Sequence, residues 1–256
     1  DLDRSAVSPS ALGFLESYQP RVLVPHEDSR QLGVPMYNIR AAAAGVANEW
    51  QWQAGNAEAT ALAEAPGEAW LAAYLSAEAG RRSGYLAQLE ALSEPSLRSL
   101  AEIAAKRLTG QPDLTPVVSQ AAVLLSDVEL LQSALTRGSG PGLALTLRKA
   151  VSKLDESERA EVLNHAILNA PSANAALAMA EIAPGLLQQP EIRVLLFELL
   201  DDADLGAAAA LALSRNPTAD VQAQLEALAA QDLGLASRRA AIAATMARHA
   251  AGEVER

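Results

Sequence analysis

From Ser93 onward the apolar positions recur at spacings of three and four. Leu97, Leu100, Ile103, Ala104 and Leu108 mark one face of a helix that opens at Ser93 and closes at Gly110. Shorter helical stretches follow, punctuated by Pro112, Gly138, Gly140, Pro141, Pro171, Pro190 and Pro217. No stretch sustains a period of two, so strands are not expected here. The spacing predicts paired helices over 142–154 and 157–169, over 172–182 and 191–200, and over 205–215 and 219–230. A looser pair spans 114–137, broken at Ser126-Asp127, and a final helix over 235–250 has no successor. That helix closes the array alone or packs against another molecule, self-association included. Helix pairs open near Pro141, Pro171, Ala203 and Gly234, in steps of about 31 residues.

The first part of the chain follows a different pattern. Phe14, Tyr18, Tyr37, Trp50, Trp52, Trp70, Tyr74 and Tyr85 all precede residue 90, and only Phe197 follows. Pro20, Pro25 and Pro35 interrupt any helix over 19–38, where 21–24 and 34–39 read as short extended pieces. Helix is expected over 39–53, weakened by Gly45, then from Pro66 or Gly67 to about 79, and again over 83–92. The division is therefore an aromatic, partly irregular helical segment over 1–92 and regular helical repeats over 93–256.

A single two-helix unit buries only one face, so neighbouring units must stack to complete a core. Alanine and leucine dominate the chain, and both are strong helix formers. Alanine at close approaches and leucine at wider ones suit layered helix pairs. The expected architecture is all-α: a right-handed α-solenoid of stacked antiparallel helix pairs, capped by the N-terminal segment. A non-repetitive helical bundle is the alternative.

The stretch Leu205-Gly-Ala-Ala-Ala-Ala-Leu-Ala-Leu-Ser-Arg215, then Asn216-Pro217, then Val221, Leu225 and Leu228, resembles a HEAT-like repeat of the short, phycobilisome-lyase type. Ser237-Arg-Arg-Ala-Ala-Ile-Ala-Ala-Thr-Met246 is similar to the opening helix of such repeats. The resemblance is clear over 203–250, fair over 141–202, loose over 95–140, and does not reach residues 1–90. It implies a scaffold or adaptor whose second helices line a concave binding face. Bilin lyases and helical-repeat DNA glycosylases are catalytic exceptions within the family. The absence of cysteine and the scarcity of aromatics in the repeats give no support to tetrapyrrole handling.

Charge narrows the partners. The formal net charge is −11, and basic residues never cluster beyond pairs such as Arg81-Arg82, Lys106-Arg107, Arg148-Lys149 and Arg238-Arg239. That balance argues against nucleic acid as a partner, whereas a protein or peptide, a basic one included, is compatible with it. No apolar run reaches membrane-spanning length. With no cysteine, disulfides, thiolate metal sites and a cysteine nucleophile are all excluded. The start at Asp1 lacks the charged and apolar regions of a leader. It suits a periplasmic or secreted chain after processing, with a trimmed cytoplasmic chain as the alternative.

Catalytic patterns are missing. His26, His165 and His249 stand far apart, with no zinc-ligand spacing, and no nucleophile elbow or phosphate loop occurs. Gly138-Ser-Gly-Pro-Gly142 reads as a flexible loop between helices, and Asp204 as the cap of the helix after it. No cofactor is expected. Two binding surfaces remain. One lies on the second helices, with Glu129, Gln132, Arg159, Asn164, His165, Arg193 and Gln222 as contacts to a protein or peptide. The other uses Tyr37, Glu49, Trp50 and Trp52, within an interval from Arg40 to Arg81 that holds no basic residue. Stacking and cation–π contact there would suit a cationic ligand or a glycan. The same tryptophans serve equally as filling at the end of the stack. The function expected is a non-catalytic scaffold or adaptor, the alternative a ligand- or glycan-binding protein.

Overall fold

The computed structural model describes residues 39–140, 142–215, 218–231 and 234–254, together with Ser10 and Ser17. The proposed extended pieces over 21–24 and 34–39 lie outside the described residues except for Ile39, which begins a helix. Those that are described form helices and their connections, with no strand among them. The helices are α1 Ile39–Ala61, α2 Glu68–Ser76, α3 Ala79–Gln88, α4 Glu94–Arg107, α5 Thr115–Leu125, α6 Val128–Arg137 and α7 Gly142–Val151. They continue with α8 Glu156–Asn169, α9 Ser172–Ala180, α10 Pro190–Glu198, α11 Gly206–Arg215, α12 Ala219–Ala229 and α13 Gly234–Val254. Short 3-10 turns cover Leu89–Ala91, Pro112–Leu114, Pro184–Gln188 and Leu199–Asp201. The chain divides into two compact units, Asp1–Leu100 and Ala101–Arg256, a boundary that falls inside α4.

In the first unit, α1 packs against α3. Sequence spacing ends α1 at Gln53, yet the helix runs on through Gly55 to Ala61. Gly55 is a packing position and not a helix end. A methyl group there would overlap the Arg81 carbonyl, and one at Gly84 would overlap the Trp52 carbonyl and the Asn56 amide. The two backbones touch, which only hydrogen at Cα permits. Beside this crossing Trp70, Tyr74 and Tyr85 form a buried aromatic cluster. Trp70 stacks on Tyr74 with ring centroids 5.8 Å apart, and the edge of one ring meets Tyr85 at 5.1 Å. Such pairs contribute about 0.5–1.5 kcal/mol beyond their buried area. Arg82 closes the cluster: its guanidinium lies 5.5 Å from the Tyr74 ring centre and donates to the Leu75 and Ala77 carbonyls at 2.7 and 2.9 Å.

In the second unit, α5 packs on α6 and α7, α6 on α8, α9 on α8 and α11, and α11 on α13. Neighbours two helices apart in sequence are thus side by side in several cases. Leu131, Leu135, Leu147, Leu163, Leu187, Leu196 and Leu213 fill the interior. The helix over 234–254 packs on α11, α12 and the turn at Leu199–Asp201. Its buried stripe is Ser237, Ala240, Ala243, Ala244 and Ala247, all small, as close helix approach requires. Its outer stripe leaves Leu235, Ile242 and Met246 exposed.

Two expectations about connections are corrected. The glycine-rich loop after α6 is tied down where it is described. The buried Asn174 amide donates to the Leu135 and Gly138 carbonyls at 2.7 and 2.8 Å, and the Ser139 amide donates to Thr115 Oγ1 at 3.0 Å. Before α11, the capping carboxylate belongs to Asp202 and not Asp204. Its Oδ1 accepts from the Asp204 and Leu205 amides at 2.9 and 2.7 Å, because the chain turns before the helix begins at Gly206.

Gly45 and Gly55 share α1 and lead to opposite predictions. Gly45 faces open space, so Gly45→Ala should stabilise by up to about 1 kcal/mol through helix propensity alone. Gly55→Ala should destabilise by about 1–3 kcal/mol through backbone overlap. Thermal unfolding followed by circular dichroism reads both, and a Gly55→Ala protein as stable as the parent would refute the tight crossing. A second prediction concerns Tyr85. Burial first, then the Glu58 carboxylate to which it donates at 3.2 Å, pushes its phenol up to about 12. A raised pKa means stability held in full below about pH 10, where an unfolded phenol titrates, and lost as pH climbs through about 12. Urea unfolding at stepped pH should show the gap between the parent and Tyr85→Phe narrowing above pH 10. A gap that stays constant would contradict the assignment.

Candidate functional site

The site begins with the way α8 is anchored. Asp155 Oδ1 accepts from the Glu158 amide at 2.9 Å while Glu158 Oε2 accepts from the Asp155 amide at 3.2 Å, a reciprocal capping box. One turn on, Arg159 donates from Nε to the Val151 carbonyl at 3.0 Å and from Nη2 to the Leu154 carbonyl at 3.2 Å. The start of α8 is thereby fixed to the end of α7. Val162, Leu163, Ala166 and Ile167 turn into the core, which leaves Asn164 and Leu168 on the opposite side.

Helix α10 starts at Pro190, a residue suited to the first turn because its missing N–H is not needed there. It buries Ile192 and Leu196. Val194 therefore faces outward, with Glu191 and Glu198 one turn before and one turn after it. Between α8 and α10 lies a groove of about 390 Å³ lined by Asn164, Leu168, Pro190, Glu191, Val194, Leu195 and Glu198. Leu168 is 61% exposed and Val194 52%. Large aliphatic side chains open to water at this level are gathered here in one shallow groove bordered by carboxylates. Among the described residues no group of three or more histidine, aspartate or glutamate side chains is placed to hold a metal ion. No described helix is long and apolar enough to cross a membrane.

The contacts expected on the second helices separate in three dimensions. Asn164 lines the groove. His165 and Arg193 are half-buried and lie outside its lining. Arg159 is occupied with the carbonyls of the preceding connection and serves to position α8. Gln132 donates to Glu161 at 3.2 Å across α6 and α8, while Glu129 is exposed on α6. Gln222 donates to Glu226 at 2.6 Å, and Glu226 also accepts from Arg248 of α13 at 2.9 Å. The Gln222 amide and then Arg248 hold the Glu226 carboxyl below its usual range. Gln222 thus joins α12 to α13.

The aromatic-acidic surface does not come together as one face. Tyr37 lies outside the described residues. Trp50 is 4% exposed, Trp52 37%, and Glu49 is exposed and accepts from Gln53 at 2.9 Å. On one helix, residues 50 and 52 are about 200° apart, so the two rings point to different sides. Leu168, Val194, Glu191 and Glu198 were not singled out by sequence. The two aliphatic residues merge with the apolar run of each helix, and only the burial of Ile167 and Ile192 beside them reveals that they face out.

No protein family, no curated protein and no solved structure matches the chain.

Arg159 provides a test of anchoring against contact. Arg159→Met keeps the apolar stem and removes the hydrogen bonds to Val151 and Leu154, so it should destabilise the fold by about 1–3 kcal/mol. Chemical denaturation measures this, and an unchanged midpoint would return Arg159 to the list of free contact residues.

Proposed function

We propose that the helices from about residue 93 form a HEAT-like α-solenoid that acts as a non-catalytic scaffold or adaptor, docking a protein or peptide on its second helices. One observation carries this: Leu168 and Val194, each more than half exposed, share the groove between α8 and α10. Concave apolar strips of this kind mark interaction surfaces more often than isolated exposed leucines do. Support for stacking comes from the side-by-side neighbours α5 with α7, α9 with α11, α11 with α13, and α6 with α8. Each unit then buries the face that its neighbour leaves open. The net charge of −11 favours a partner that is neutral or basic. A ligand- or glycan-binding role for Glu49, Trp50 and Trp52 has less support, because burial of Trp50 removes the paired aromatic platform such ligands stack upon.

Peptides selected on the full chain from a random display library test the docking role. They should lose more than about 10-fold in affinity for a Leu168→Asp, Val194→Asp double variant. Both positions are exposed, so thermal stability should move by no more than about 0.5 kcal/mol each. Selected peptides that bind parent and variant equally, or a selection that enriches nothing, would remove the groove as the docking surface.

A further inference from the structure

The groove between α8 and α10 carries a chemical signature beyond its apolar floor. Leu168, Val194, Leu195 and Pro190 supply the apolar lining, and the charged groups in that lining are Glu191 and Glu198, both on α10 and both exposed. Neither glutamate forms an ion pair with a described residue, whereas the carboxylates of Glu58, Glu181 and Glu226 are each paired with an arginine. Arg193, on the same helix, stays outside the lining. The seven steps from Glu191 to Glu198 rise about 10 Å along the helix, and Val194 stands between them.

We infer that this groove takes a segment in which a large apolar side chain sits between two basic residues whose charges are about 10 Å apart. This rests on the docking role proposed for the same groove. An extended segment does not meet the spacing on one face, because strand residues three apart point to opposite sides. A helical segment meets it at i and i+7. The apolar side chain covers Leu168 and Val194, and the two cations face carboxylates that form no ion pair with a described residue. A volume of about 390 Å³ lies at the lower end of the range for ligand pockets, which suits a few side chains of a linear segment. Complementary charge at the rim sets partner choice and encounter rate, while the apolar floor holds the segment.

Fluorescence anisotropy with labelled peptides and the full chain tests this. One probe is a helical peptide with Lys at i and i+7, Leu at i+3 and Ile at i+4, and its counterpart carries Glu in place of the two lysines. The Lys probe is expected to bind at least about 10-fold more tightly than the Glu probe at low salt, converging near 1 M salt, where the screening length falls to about 3 Å. Glu191→Gln with Glu198→Gln should weaken the Lys probe by about 10-fold. Glu90→Gln with Glu102→Gln, which removes the same charge from other exposed positions, should leave affinity within about two-fold. Equal loss in both double variants would overturn the inference in favour of bulk attraction to an acidic protein. Equal binding of both probes, abolished by Leu168→Asp with Val194→Asp, would overturn the charge rule while leaving the docking role intact. Failure of the Lys probe to bind would also overturn the charge rule, and the display selection would then decide the docking role separately.

Discussion

Short helices leave many backbone groups without partners, and the structure is organised around satisfying them. A helix of nine or ten residues has four carbonyls at its C-terminal end with no acceptor role inside the helix. Here these carbonyls are taken up by side chains from elsewhere in the chain. Arg82 holds Leu75 and Ala77, Asn174 holds Leu135 and Gly138, and Arg159 holds Val151 and Leu154. Arg239, lying over Gly206, donates to the Leu200, Asp202 and Ala203 carbonyls, and Arg215 reaches Ala180 at 3.4 Å. A positive charge at a helix C-terminus also offsets the helix dipole. Each of these side chains fixes the end of one helix to the body of another, so backbone satisfaction and helix placement are the same event.

This explains where basic residues go in an acidic protein. Arg82, Arg159, Arg215 and Arg239 serve the connections, while on the surface Arg81, Arg148 and Arg248 pair with Glu58, Glu181 and Glu226. Exposed pairs of this kind contribute at most about 1 kcal/mol each, so their value is in orientation more than stability. In the groove, Glu191 and Glu198 form no ion pair with a described residue, and the apolar Val194 between them stays open.

Small residues supply the second constraint. The α1–α3 crossing depends on Gly55 and Gly84, and α13 meets its neighbours through Ser237 and four alanines. Close approach places backbone against backbone and leaves no room for adjustment. At these close crossings large side chains stand to the side, in the aromatic cluster around Trp70 or on outward positions such as Leu235, Ile242 and Met246. The groove belongs to the same rule: where α8 and α10 do not close on each other, leucine and valine remain in water.

The helical character of residues 93–254, the breaks at Ser126-Asp127 and Pro184, and the start of α8 were all legible, because apolar spacing and capping residues act within a few positions of each other. The sequence by itself determined that the described chain is helical and, beyond residue 93, roughly where its helices lie; α1 runs past Gln53 to Ala61, and the helix expected over 83–92 spans Ala79–Gln88. It did not determine that Gly55 sits inside a helix, that Asp202 and not Asp204 caps α11, or that Arg159 is a structural anchor. Those outcomes depend on residues brought together from other helices. The placement of Trp50 and Trp52 on different sides of α1 follows from helix geometry, but which of the two is buried was decided by packing. The groove was the least legible feature. Leu168 and Val194 look like core residues in any linear pattern, and only the spacing between two helices, a property of the tertiary structure, leaves them exposed beside unpaired carboxylates.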